Sequence, residues 1–192
     1  RKLWSEGIKG AQSVDVLIPH TIAENSDIWM VIASSLSVKD LLTFGKTSTE
    51  KRNIAINTLI NHFHAGTITP SDLRITTVKG LLEFFGENCS KITKLNLQKF
   101  HNINDSDIEI ISKNFTKLNH LLLKDTLITD MSAVHLTKML LTTLDLSGCR
   151  KINDFSFTKH CKELTVLYLK NCEHINDLNI QWIHNRGIKV VR

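Results

Sequence analysis

No apolar run in this chain approaches the roughly 18 to 20 residues that a bilayer crossing needs, and residues 1–20 lack the apolar core of a secretory signal. Glycine-rich phosphate loops, a Gly-x-Ser-x-Gly elbow and a His-Glu-x-x-His helix are all missing, which removes common signatures of nucleotide, ester and zinc chemistry. The four cysteines form no Cys-x-x-Cys pair. A metal site could recruit only Cys149, Cys172 and His174, with no ligand motif behind it. His62 and His64 lie two apart and cannot share a helical face. Cys161 beside His160 has no third group to orient it as a nucleophile. Neither a basic stripe nor interleaved aromatics mark a nucleic-acid surface: residues 1–90 hold 9 basic and 9 acidic side chains, and residues 91–192 hold 15 and 10, scattered among one another. No cofactor, metal, membrane or nucleic acid is therefore expected, and no intrinsic catalysis. The chain starts at Arg1 rather than methionine, so a trimmed or processed start stays open.

What is present is a ruler. The tracts Ile92-Thr-Lys-Leu95-Asn-Leu97, Leu118-Asn-His-Leu121-Leu-Leu123, Leu141-Thr-Thr-Leu144-Asp-Leu146 and Leu164-Thr-Val-Leu167-Tyr-Leu169 share one pattern at intervals of 26, 23 and 23 residues. Five residues after the middle leucine stand Phe100, Thr126, Cys149 and Cys172, and Asn-Asp or Thr-Asp pairs follow at 104–105, 129–130, 153–154 and 176–177. Alternation along a short strand sends the two leucines of each tract inward, where only the next repeat can cover them. The Asn/Thr-Asp pairs can cap apolar helical stretches carrying Ile108, Ile111 and Phe115; Met131, Val134 and Met139; and Ile180 and Ile183. A weaker repeat is expected at Leu73-Arg-Ile75 with a helix over 78–88, and another strand at Ile188-Lys-Val190-Val191. The pattern is that of a leucine-rich repeat, which predicts an α/β solenoid over 67–192. It has about five coils and a fragment, short parallel strands on the concave side and helices on the convex side.

The cysteines obey the same ruler. Cys149 and Cys172 share one repeat position, and Cys89 and Cys161 each lie three residues before the next tract, so all four are expected as small core residues and not as disulfides. Free thiols suit a reducing compartment, which favours a cytosolic or nuclear setting; a protein delivered into a host cell's cytosol would read the same way.

Before the repeats the grammar changes. Ile28, Ile32 and Leu36 fall four apart on one helical stripe, Ser37 to Asp40 can cap a second short helix through Leu41, Leu42 and Phe44, and a third helix over 49–62 ends at Ala65-Gly66. Ile18-Pro19 followed by Ile22, then Ile32, Leu36, Asp40-Leu41-Leu42, Phe44 and the stretch Lys46-Thr-Ser-Thr-Glu-Lys-Arg52 resembles an F-box. With cysteine-containing repeats behind it, the chain resembles the F-box/leucine-rich-repeat family over residues 17–192. The resemblance implies a small all-α three-helix segment over 17–66 after an N-terminal extension of 1–16. It implies docking on the Skp adaptor, and through it cullin, by Ile18, Pro19, Ile22, Ile32, Leu36, Leu41, Leu42 and Phe44. It also implies a role as the substrate-recognition subunit of an SCF-type ubiquitin ligase. The alternative is a non-catalytic repeat scaffold without a ligase role.

Strand alternation names the face that would hold a target protein. With Leu95 and Leu97 inward, Lys94, Asn96 and Gln98 point outward, as do His120, Leu122 and Lys124; Thr143, Asp145 and Ser147; and Val166, Tyr168 and Lys170. Leu122, Val166 and the single tyrosine, Tyr168, read as exposed apolar groups beside lysines, a composition suited to protein contact.

Overall fold

The computed structural model describes residues 26–192 apart from Thr67, Lys99 and Asn176. The expected extension over 1–16 and the adaptor positions Ile18, Pro19 and Ile22 lie outside the described residues. The described residues divide into two compact units at His62/Phe63.

The first unit holds α1 (Ser26–Ser34), α2 (Val38–Phe44) and most of α3 (Thr49–Ala65). Helix α1 stops before Leu36, so that residue leaves the expected stripe. The cause is local: the Ser34 and Ser35 hydroxyls turn back onto the carbonyls of Val31 and Ile32 at 2.7 and 2.8 Å, competing with further helical bonds. Ser37 then caps α2, accepting the Asp40 N–H at 3.3 Å and donating its hydroxyl to the Asp40 carboxylate at 2.6 Å. Trp29, Ala33, Leu41, Ala55 and Leu59 are buried. Trp29 and Phe44 pack with ring centroids 5.6 Å apart, and the Lys51 ammonium sits 4.0 Å from the Trp29 centroid, a cation over a ring face. Helix α3 runs three residues past the expected end at His62, and Gly66, at φ +72°, lets the chain turn away.

The second unit is mixed α/β, built on a five-stranded, all-parallel sheet. Its strands β1 (Lys94–Asn96), β2 (His120–Leu122), β3 (Thr143–Asp145), β4 (Val166–Tyr168) and β5 (Lys189–Val191) lie side by side in chain order. Register follows the ruler: Leu95 pairs with Leu121, Leu121 with Leu144, Leu144 with Leu167, and Leu167 with Val190. All four leucines are at most 1% exposed. Burying such a side chain stabilises by about 1.5 to 3 kcal/mol, and no three-residue strand could bury its own, so register and core are one constraint.

The weaker repeat keeps its helix and loses its strand. Pro70 opens a 3₁₀ turn (Pro70–Leu73) and Arg74 caps it in the left-handed conformation at φ 59°, neither of which a ladder accommodates. The helix forms as α4 (Val78–Phe85), capped by the Thr77 hydroxyl on the Gly80 N–H at 3.0 Å. With no strand before it, β1 finds its first partner elsewhere. In later repeats the N–H groups of Asn119, Thr142 and Thr165 donate to the carbonyls of Thr93, Asn119 and Thr142. The equivalent N–H, that of Thr93, donates to His64 Nε2 at 3.0 Å, so an imidazole stands where the preceding strand's carbonyl would be. Burial, with Lys94 adding to it and the backbone at Lys91 opposing it, holds His64 below the ordinary histidine pKa and so favours the neutral ring that can accept.

Connecting segments are less regular: α5 (Asp105–Asn114), a 3₁₀ turn (Asp130–Ser132) running into α6 (Ala133–Leu136), a 3₁₀ turn alone (Ser156–His160), and α7 (Asp177–Asn185). Asn104 caps α5 as expected, accepting the Ser106 N–H at 3.0 Å, while Asp107 reaches back to the Asn104 N–H at 3.1 Å. The aspartates do something else. Asp105 accepts the Thr129 N–H and hydroxyl, both at 2.8 Å, and the Ser132 hydroxyl, all in the following repeat. Asp130 likewise takes the N–H groups of Asn153 and Asp154 at 2.9 and 3.0 Å. Two of the aspartates expected as caps are thus ties between repeats, whereas Asp154 accepts the N–H and hydroxyl of Ser156 at the start of its own turn. Phe115, Met139, Ile108, Ile111 and Ile183 are buried, but Met131 and Val134 are 75% and 59% exposed, correcting their expected place on an inward helical face.

Candidate functional site

The open face of the sheet is built by alternation. Each of the first four strands buries its central leucine and turns its outer residues outward, and pairing aligns those residues into two rows. One row runs Lys94, His120, Thr143, Val166, Lys189; the other runs Asn96, Leu122, Asp145, Tyr168, Val191. The sequence thus placed Lys94, Asn96, His120, Leu122, Asp145, Val166 and Tyr168 on one surface. Leu122, Val166 and Tyr168 are half-buried, where the sequence suggested exposed, because strands roughly 4.8 Å apart set each outer side chain between two neighbours. Beyond the strand ends Gln98 is half-buried and Lys124 and Lys170 are exposed, but Ser147 is buried and leaves the expected outward set.

The second row is partly tied to its own backbone. Asn96 Oδ1 accepts the Gln98 N–H at 3.1 Å and Asp145 Oδ1 accepts the Ser147 N–H at 2.8 Å, the same two-residue turn in two repeats. Just past it, Asp125, Gly148 and Asn171 share a left-handed position at φ 59°, 71° and 59°. A Cβ on Gly148 would run into Asp125 Oδ1, so a larger residue there would have to displace that exposed side chain as well as bear the left-handed dihedral.

At the first end of this face a cavity of about 290 Å³ opens. Lys94, Leu95 and Asn96 of β1 and His120 and Leu122 of β2 form one side, and Phe63, Gly66, Ile68 and Thr69 form the other. Burial first, and Lys94 second, lower the His120 pKa. Sequence reasoning found the strand half of the cavity and missed the other, since Phe63 to Thr69 carry no repeat pattern; the Ile68-Thr69-Pro70 turn after Gly66 is the available signal.

The cysteines are core. All four are free and buried. Cys149 and Cys172 donate their thiols to the carbonyls of Leu123 and Leu146 at 3.2 and 3.3 Å, each one repeat back; Thr126 occupies the same position, 3.4 Å from Cys149 Sγ, and donates to the Leu123 carbonyl in its own repeat at 2.8 Å. Burial pushes the thiols of Cys89, Cys161 and Cys172 up to about 11 and that of Cys149 upward, so they stay protonated and poorly nucleophilic near neutrality. Among the described residues no group of three or more His, Cys, Asp or Glu side chains could hold a metal ion, and no helix is long and apolar enough to cross a membrane.

Of the expected adaptor positions within the described residues, Ile32, Leu36, Leu42 and Phe44 are half-buried and Leu41 is fully enclosed. Met30 and Val31, which the sequence did not single out, are 51% and 71% exposed on α1. No protein-family model matches the chain, and comparison with the curated proteins finds no match.

Proposed function

We propose that the second unit is a leucine-rich-repeat solenoid whose open strand face binds another protein, and that the chain is the substrate-recognition subunit of an SCF-type ubiquitin ligase, its first helices docking on the Skp adaptor. The observation that carries the binding reading is the pair of aligned outward rows. They combine half-buried Leu122, Val166 and Tyr168 with amides and lysines, the mixed composition of a protein contact with an aromatic anchor. The ligase half rests on the resemblance of residues 17–66 to an F-box and on the apolar exposure of α1. Such a subunit performs no chemistry; it raises the effective concentration of its target beside the ubiquitin-charged enzyme. The full enclosure of Leu41, which leaves that side chain no surface to offer, favours the second reading, a repeat scaffold for protein interaction without a ligase role.

Immobilised Skp adaptor separates the two. Wild type should be retained, and an Ile32→Asp, Leu36→Asp double variant with an unchanged far-ultraviolet circular dichroism spectrum should wash through. Failure of the wild type to bind leaves the scaffold. For the strand face, Tyr168→Ala should reduce capture of a co-purifying target by about ten-fold or more while shifting the unfolding midpoint little.

A further inference from the structure

We propose that the cavity at the first end of the strand face captures the free C-terminal carboxylate of a partner protein whose last residue is apolar, an assignment that rests on the strand face being the protein-binding surface. Its walls divide by chemistry. Phe63, Ile68 and Leu122 supply apolar surface, and at about 290 Å³ the space sits at the lower end of ligand-site sizes, suited to a terminal residue and not to a folded segment. Three of the polar groups, on Lys94, Asn96 and His120, can donate. The Lys94 ammonium and the His120 ring belong to paired positions on adjacent strands, and Asn96 has given its oxygen to the Gln98 N–H, leaving its NH₂ as the free end. Thr69 adds no donor, since its hydroxyl and its N–H both go to Asp72. No carboxylate lines the cavity, and among the described residues none pairs with Lys94 or His120.

An occupant must therefore bring negative charge and apolar bulk together. An aspartate side chain would leave the apolar wall unfilled. A neutral aliphatic side chain would take water from the half-buried His120 ring without replacing it and would leave the Lys94 ammonium uncompensated. A chain ending in leucine, isoleucine, valine or phenylalanine meets both walls at once, the charged end at the donors and the side chain against Phe63 and Leu122.

The test uses the full chain and N-acetyl-leucine as the probe, with N-acetyl-leucinamide and acetate as controls, followed by the nuclear magnetic resonance signals of the His120 ring and the Leu122 methyls. Saturable shifts of both signals are expected with N-acetyl-leucine, and about ten-fold weaker binding of the amide and of acetate. Lys94→Met, at an exposed position, should erase the preference for the acid over the amide and keep the native spectrum elsewhere. Equal binding of acid and amide, equal binding of acetate, or no saturable shift at His120 overturns the assignment. The adaptor experiment reports on different residues. A cavity that binds in a chain the adaptor rejects sinks the ligase reading alone; an adaptor that binds a chain whose cavity ignores the probe sinks this one alone.

Discussion

Within the second unit, the strands and the segments joining them follow different standards. All five strands are three residues long, and each pairs with the next in chain order. Of the four segments between them, one is a ten-residue helix, one a 3₁₀ turn running into a four-residue helix, one a 3₁₀ turn alone and one a nine-residue helix. A residue in β2, β3 or β4 is held by backbone bonds to strands on both sides, so one slip would turn every leucine outward. A connecting segment has only to span the distance and cover apolar surface. It can do so with α5, which is capped and amphipathic, or with a bare turn that buries Phe155 and Phe157 and whose carbonyls at Thr158 and Lys159 are taken by Arg186, both at 2.6 Å.

That contrast can be broken at its strongest point first. Leu144→Ala removes a fully buried side chain from the middle strand and should cost about 2 to 5 kcal/mol in urea unfolding; a loss below about 1 kcal/mol would show that the leucine row does not carry the core. Next come the ties between repeats. Asp105→Ala strands the Thr129 N–H and two hydroxyls and should cost about 1 to 3 kcal/mol. Burial alone would raise the Asp105 pKa, but hydrogen bonds from Ser132 and Thr129 outweigh it and hold the carboxyl below its ordinary value. With the folded pKa depressed, the stabilisation is present above the unfolded pKa of about 3.9 and lost as pH falls through the folded one. Wild type should therefore lose stability on acidification below about pH 4 more steeply than Asp105→Ala; parallel acid limbs would remove the carboxylate from the account. A smaller effect is expected at the shared turn. Gly148→Ala should cost about 1 to 2 kcal/mol for the left-handed backbone, plus the approach to Asp125, and less in an Asp125→Gly background. Strict additivity of the two changes would mean that the side chains never meet.

The same contrast explains what could be read from the residues. Periodic features were legible: the leucine tracts, the strand at Lys189–Val191, the thiol positions and one half of the cavity all follow from a rule that each repeat imposes on the next. Features that depend on a single local event were not. Arg74 in the left-handed region cancels a strand that the spacing of Leu73 and Ile75 predicts, and two serine hydroxyls end α1 two residues before Leu36. The His64 bond to Thr93 joins residues 29 apart with no repeat relation, and no sequence rule points to it. The aspartates lie between these cases, because their position was periodic while their partner, the next repeat instead of their own helix, depended on geometry.

The smallest effect is the sharpest test of the difference. Met131 and Val134 stand three apart, where a helical reading puts them on the covered face, yet the turn between β2 and β3 begins as a 3₁₀ segment and only then becomes a four-residue helix. Tighter winding, at about three residues per turn, rotates the face by the time the helix starts, so Ser132 and Leu136 go inward and the two larger residues outward. Met131→Lys, Val134→Lys should therefore change the unfolding free energy by no more than about 0.5 kcal/mol, the range of ordinary surface substitutions. If the double variant loses more than about 2 kcal/mol, the pair is covered in solution, and the connecting segments are coded as strictly as the strands they join.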